Sequence, residues 1–287
     1  MTRIIFDSNN IGHMAAYAFG DLTYKDRYTG VMHGFLNQML KMAEKFKTTE
    51  FIFCWDSRHY YRKWIYSEYK ANRHKDRSIE ELGEDRIMFD QFVQLRTDIL
   101  PKLGFENIFH KNGYEADDLI AEIVARCPGE NIIFSSDGDL WQLLQEGRYH
   151  YVRMFNSRTK KLFTANDFYK GWGIWPKDWA LAKSMAGDMG DNVPGISGVG
   201  LIGACSYIKG QLGGVKKDKI ESKEGKEITR RNLQLIALPY RAKREIQITG
   251  IGFKKLYAQD FEDVFKEYGF KRFLDKFDTW EKIFKLS

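Results

Sequence analysis

"RIIFD" (residues 3–7) is a short apolar run that closes on an acid, and the pattern recurs as "FIFCWD" (51–56) and "NIIFSSDGD" (131–139). Each run is strand-length and rich in Ile or Phe. Helical patterns separate them. "GVMHGFLNQMLKMAEKF" (30–46) sets Val31, Phe35, Met39 and Met42 at helical spacing. "DDLIAEIVARC" (117–127) puts Leu119, Ile120, Ile123 and Val124 on one face and stops at Pro128-Gly129. The alternation predicts an α/β fold around a parallel sheet. Asp7, Asp56 and Asp137, with Asp139 behind it, then fall at the carboxyl ends of three strands, where such sheets bind ligands. One such Asp reads as a turn former; three favour a shared site.

Two further clusters enlarge the acidic set. "GYEADDLIAE" (113–122) carries Glu115, Asp117 and Asp118, and "MAGDMGDNVPG" (185–195) carries Asp188 and Asp191 three apart. Each cluster alone reads as a capped helix or a turn. Together, with Arg58 as the one cation in their immediate flanks, these carboxylates would drive up one another's pKa unless countercharged. Divalent cations do that, and all-oxygen ligands select Mg²⁺ or Mn²⁺ over zinc. The six histidines form no HExxH pattern. Two such ions stabilise the attacking and leaving oxygens of a phosphodiester.

Bulk properties agree. The chain has 287 residues, 43% hydrophobic and 15% aromatic, enough for one large or two ordinary domains with a substantial core. Lys plus Arg exceeds Asp plus Glu by 45 − 39 = 6, a modestly basic balance suited to a polyanion. Cys54, Cys127 and Cys205 are odd in number and form no CxxC pair, which argues against a disulfide framework or zinc ribbon and for a reducing, cytoplasmic setting. No stretch approaches the ~20 apolar residues of a membrane span, and "MTRIIFDSNN" has no leader-like core.

Residues 57–87 interrupt the α/β rhythm. Within 58–77, Arg58, Arg62, Lys63, Lys70, Arg73, Lys75 and Arg77 interleave with Tyr60, Tyr61, Trp64, Tyr66 and Tyr69. Cations neutralise phosphates and rings stack unpaired bases. As a helix, the segment would align Arg62, Tyr66, Tyr69 and Arg73 on one face. A solvated helix with snorkelling side chains is the plainer reading; the density of rings favours nucleic acid. From about residue 178 the pattern is helical, with 216–231 as an exposed charged connection. "VPGISGVGLIGA" (193–204) contains a G-x-G-x-x-G match, but no strand precedes it. A turn between helices fits better, with Gly195, Gly198 and Gly200 either admitting a phosphate to the backbone or making a tight turn alone.

"IIFDSNN", "FCWDSRHYYRKWIYSEYKANR", "GYEADDLIA", "IIFSSDGDLWQL" and "MAGDMGDNVPGISGVG" stand in the order and spacing of the flap endonuclease and 5′–3′ exonuclease family. The chain most resembles its bacteriophage ribonuclease H and 5′-nuclease members, and the 5′-nuclease domain of bacterial DNA polymerase I. The resemblance covers residues 3–205, and more faintly 230–239. It implies a PIN-like core over 1–177 with a basic helical arch at 57–87, and a helical duplex-binding domain over 178–287 with a helix–three-turn–helix at 193–204. It implies a metal-dependent 5′-nuclease, with exonuclease, flap endonuclease and RNase H activities. The substrates would be branched, nicked or flapped duplex DNA or RNA–DNA hybrid, met in primer removal and repair.

The family's two metals would be Mg²⁺, with Mn²⁺ as substitute. Asp7, Asp56, Glu115, Asp117, Asp118 and Asp137 would form the first group, and Asp137, Asp139, Asp188 and Asp191 the second. Lys70 and Arg73 would steer the scissile phosphate, beside Asp117 and Asp118. Arg62, Lys63 and a stacking Tyr69 would meet nucleic acid, and Gly195, Gly198 and Gly200 would grip the duplex backbone, as some family members do through K⁺. His13 is the one candidate cation on the helix after Asp7. The expected protein is a free-standing, cytoplasmic monomer (in the host cell if phage-encoded) that works with replication proteins and no membrane. An inactive structure-specific DNA-binding protein on this scaffold and a PIN-type ribonuclease are the rival readings.

Overall fold

The computed structural model describes residues 2–57, 60–74, 78–240, 248 and 250–287. Arg58, Lys75, Arg77 and the side chain of Arg73, all in the expected basic arch, lie outside the described residues. The three acid-ended runs are strands: β1 (Thr2–Asp7), β2 (Phe51–Trp55) and, after β3 (Ile108–His110), β4 (Gly129–Ser135). β5 (Gln145–Glu146), β6 (His150–Asn156) and β7 (Leu162–Phe163) complete the sheet. The order is β3-β2-β1-β4-β6-β5, with β7 also on β6. The β2–β3, β1–β2, β1–β4 and β4–β6 pairs are parallel, while β5 and β7 run antiparallel to β6.

Period-two alternation sends apolar side chains to both faces, so both must be covered. The helices that cover them are α1 (Ser8–Phe19), α2 (Gly30–Phe46), α3 (Ile79–Gln94), α4 (Ala116–Arg126), α5 (Trp179–Ala186), α6 (Leu201–Ile208), α7 (Lys223–Ile236), α8 (Ala258–Glu267) and α9 (Phe277–Phe284). One face carries Phe6, Phe53 and Trp55, packed with Phe35 of α2, Phe261 of α8 and Trp280 of α9. The other carries Ile5, Cys54 and Ile133, packed with Ile120 of α4, Trp179 of α5 and Ala204 of α6. The result is a mixed α/β fold about a mainly parallel sheet.

Three expectations are corrected. The boundary at 177/178 does not separate two cores, because α8 and α9 bury their aromatic faces against the N-terminal sheet and α5 and α6 bury theirs on its other side. The charged run 216–231, expected as an exposed connection, is largely exposed but helical. It forms the helix Gly214–Glu221 and the first half of α7, with Ile220 and Gly225 buried. The basic segment is not one helix: two short 3₁₀ turns, Tyr61–Trp64 and Ala71–His74, flank a bend in which Lys70 adopts φ 56°. Arg62 and Tyr69 are buried there, and their burial overrides helical propensity.

Candidate metal centre

The strand order reverses between β1 and β4, and the crevice beyond that point gathers the acids. Asp7 closes β1 and caps α1, its carboxylate accepting from Ser135 Oγ at 2.6 Å and Asn10 N at 3.3 Å. Asp56 follows β2; it accepts from Ala116 N at 2.7 Å, while its own N–H donates to Asn9 Oδ1 at 2.9 Å. Asp137 follows β4 and accepts from Asp139 N at 2.8 Å. Adjacent strands thus deliver Asp56, Asp7 and Asp137 side by side, and the first turn of α4 adds Asp117.

These charges strain one another. Burial, then Asp56 and Asp137, push Asp7 up to about 7. Burial, then Asp137, Asp7 and Asp56, push Asp117 well above the ordinary carboxylate range.

A second group lies alongside. Asp139, Asp188 and Asp191 each place a carboxylate oxygen within 4.8 Å of the others. The Asp188–Val193 turn presents Asp188 and Asp191, and the 3₁₀ turn Gly138–Leu143 presents Asp139: Asp188 accepts from Gly190 N at 2.9 Å, and the two-residue ladder Gly187–Asp188/Val193–Pro194 closes the base of its turn. Lys183 of α5 bridges Asp139 and Asp188, 2.5 Å from the latter. Burial lifts Asp139 to about 6 in spite of Lys183. For Asp188, Lys183 outweighs burial and the pKa falls. Lys183 is itself raised, because the two acids overcome its desolvation.

Lys70 joins the two groups. Its ammonium contacts Glu115 and lies 3.7 Å from Asp191, and its backbone N–H donates to Asp191 O at 2.9 Å. Burial alone would raise Glu115, but Lys70 and Arg62 hold it at about 2. The site therefore carries countercharges at Arg62, Lys70 and Lys183, where the sequence flanks showed none but Arg58. Lys183 lies on the helix leading into Asp188 and gave no signal beyond its charge; Asn9, which accepts from Asp56 N, and Ser135, which donates to Asp7 and accepts from Asp137 N at 3.0 Å, carry no charge to mark them.

Several expected roles do not fit the geometry. Asp118 is fully buried, and its oxygens are taken by Arg62 (2.7 Å twice), Glu115 N (3.0 Å) and Tyr240 N (2.7 Å). It holds the first turn of α4 and offers no lone pair to a metal or a reacting phosphate. Arg62, 2% exposed, donates also to Leu235 O at 2.7 Å and faces the protein, not a nucleic acid. Tyr69, equally buried, sets its hydroxyl 2.9 Å from both Glu115 and Asp191, so its ring is closed to stacking. Gly195 is a packing glycine, since a Cβ there would fall 2.2 Å from the backbone of Ala186. Gly198 (φ 81°) and Gly200, which precedes α6 with open space around it, remain accessible, as does Lys63.

The donor set fits hard divalent cations. All candidate ligands are carboxylates; burial first, and neighbouring carboxylates after it, raise Asp7, Asp117 and Asp139, and a bound cation would offset both. Among the described residues, Asp139, Asp188 and Asp191 are the group whose carboxylate oxygens lie close enough together to hold one ion, whereas the oxygens of Glu115 are engaged by Lys70, Tyr69 and Arg62. Among the described residues no helix is long and apolar enough to cross a membrane.

DNA polymerase I of Caldicellulosiruptor bescii is 30% identical over 207 residues, 70% of this chain and 23% of that protein. The 5′-3′ exonuclease of Bacillus subtilis is 31% identical over 175 residues, 60% of this chain and 56% of that one. The chain thus spans about a quarter of the first relative and just over half of the second. Among solved structures, the bacteriophage T5 D15 protein co-crystallized with metal ions superposes with a TM-score of 0.70 at 23% identity, covering 83% of this chain and 90% of that one. Human GEN1 in complex with Holliday junction DNA gives 0.56 at 12%, over 93% and 67%. The family model described as the 5′-3′ exonuclease, N-terminal resolvase-like domain, matches residues 2–173. With that match over more than half its length, the chain belongs to the 5′-3′ exonuclease family.

Proposed function

We propose that the protein is a divalent-metal-dependent 5′-nuclease that hydrolyses phosphodiesters in branched, nicked or flapped duplex DNA. The observation that carries this reading is Lys70, in contact with Glu115 of one acid group and 3.7 Å from Asp191 of the other. Its ammonium is the group best placed to meet a phosphate shared by both. Bound Mg²⁺ or Mn²⁺ would neutralise the phosphate oxygens and make water a better nucleophile. Glu115 stays ionised under Lys70 and Arg62. Lys183 keeps Asp139 and Asp188 together as acceptors. Arg62 and Asp118 fix the helix start that presents Asp117.

The T5 structures support the reading, one co-crystallized with metal ions and one a flap endonuclease in a pseudo-enzyme–product complex with DNA, as does GEN1 with its junction. RNA–DNA hybrid as a second substrate, primer removal beside replication proteins, K⁺ at the Gly198–Gly200 turn, a monomeric state and a cytoplasmic location belong to the same proposal. The test is cleavage of a labelled 5′-flap duplex in Mg²⁺ and in EDTA. Metal-dependent release of a short 5′ fragment near the junction is expected. Salt-sensitive binding with no cleavage in Mg²⁺ or Mn²⁺ would overturn it in favour of the inactive DNA-binding scaffold.

A further inference from the structure

Of the five rings in the 58–77 segment, four are drawn partly or wholly inside. Tyr69 is buried and Tyr60, Tyr61 and Tyr66 are half-buried, whereas Trp64 is 79% exposed. Exposure alone says little, since Tyr17 and Tyr149 are exposed too; what sets Trp64 apart is how it is held. Trp64 ends the 3₁₀ turn Tyr61–Trp64, whose Arg62 is clamped to Asp118 and to Leu235 O. Tyr61 N donates to Gly113 O at 3.0 Å, and the Tyr61 ring lies so close over Gly113 that a Cβ there would fall 2.3 Å from it. Tyr61 also meets Tyr114 edge-on, with ring centroids 5.2 Å apart. Against this fixed Tyr61 the indole rests, centroids 4.5 Å apart and planes tilted by 41°. Trp64 is therefore supported on one side and bare on the rest, with the exposed Lys63 preceding it.

We infer that Trp64 is the stacking platform for an unpaired base of the 5′ single strand as that strand passes the metal centre. The inference rests on the nuclease reading above and names one contact within it. Three features converge on a nucleobase. The ligand must be planar and apolar on its face, because an indole is offered. It must carry negative charge close by, because Lys63 is adjacent. It must pass beside the acid groups, because the ring chain Trp64–Tyr61–Tyr114 ends one residue before Glu115. A base with its phosphate meets all three. The pre-set Tyr61–Trp64 pair lowers the ordering cost of binding, and stacking tolerates any base, as a structure-specific enzyme requires.

The test measures equilibrium binding in EDTA, without turnover, of a nicked duplex bearing a 5′ oligothymidine flap and of the same duplex without the flap. A single abasic residue is walked along the flap. The wild-type protein is expected to lose about tenfold in affinity at one or two positions, the loss of one base–ring stack. Trp64→Ala should bind the intact flap about tenfold more weakly and show no abasic penalty, while Trp64→Phe keeps both behaviours. Binding of the flapless duplex should be unchanged. The inference is overturned if Trp64→Ala shows the wild-type abasic profile, or if it weakens flapped and flapless duplex alike, as loss of a protein-packing or general surface role would. If the wild-type protein cleaves flaps in Mg²⁺ but ignores abasic positions, only the Trp64 assignment fails. If it neither prefers nor cleaves flaps, the nuclease reading fails with it.

Discussion

Arg62 and Asp118 form a bidentate pair, both N–O distances 2.7 Å, with neither residue reaching solvent. Breaking one side would leave a buried charge alone, at a cost of about 3–5 kcal/mol. Arg62→Ala is therefore expected to lower the denaturant-unfolding midpoint sharply. Nucleic-acid affinity, measured on the fraction that remains folded, should change little. An unaltered midpoint with weakened DNA binding would restore Arg62 to the nucleic-acid surface.

Metal-free stability should depend on pH with a definite sign. Asp7 and Asp139 have folded pKa values of about 7 and about 6, raised from the ordinary 3.8. Groups raised in this way stabilise fully below the unfolded value and lose that contribution as pH rises through the folded one. Glu115, at about 2, and Asp188, lowered, act oppositely, but their contribution is already present above about pH 5. In EDTA the melting temperature should fall between pH 5 and 8, and Mg²⁺ should flatten that slope. Equal slopes with and without metal would remove the cation from the acid cluster.

Asp139→Asn and Asp191→Asn should each cut flap cleavage by about 100-fold or more while DNA binding persists, since each removes charge from the second acid group. Single-turnover cleavage beside a binding isotherm decides this. Cleavage at the wild-type rate would leave one acid group as the whole centre.

Lys70→Ala should slow single-turnover cleavage by about 100-fold with the fold intact. The ammonium sits between the acid groups, and alanine leaves the left-handed backbone of residue 70 no worse placed than lysine does. A melting point that collapses instead would make Lys70 a structural countercharge for Glu115.

The glycine turn divides into packing and surface positions. Gly195→Ala drives a methyl into the Ala186 backbone and is expected to cost about 2–3 kcal/mol in stability. Gly200→Ala meets nothing within 4 Å and should fold like wild type. Its effect should be confined to duplex affinity, read by salt-dependent binding.

The sheet centre was legible because "IIF", "FIFCW" and "NIIFS" are apolar on both faces, the pattern a doubly covered parallel strand must have. β3 was missed because three residues carry too little pattern, and β6, "HYVRMFN", because its polar members sit at the sheet's ends and partly exposed positions. Acids were visible as types, but which of them face the crevice depends on partners far along the chain. Asp117 and Asp118 are neighbours in sequence, yet one joins the acid cluster and the other is consumed by Arg62, fifty-six residues earlier. Lys70 likewise reaches Glu115 from forty-five residues away, whereas Lys183 stands five residues before Asp188 and joins it to the distant Asp139.

All the candidate ligands have been synthesised by residue 191, whereas Phe261 and Phe284, which pack on Phe105 and, for Phe284, on Phe51 of β2, come only with α8 and α9. On the ribosome, the nascent chain therefore holds its full complement of carboxylates while part of its aromatic core is still unpacked. Chains stopped before α9 should be substrates for chaperones and proteases rather than stray nucleases. Helices α8 and α9 thus complete the aromatic core only after every candidate carboxylate is already in the chain.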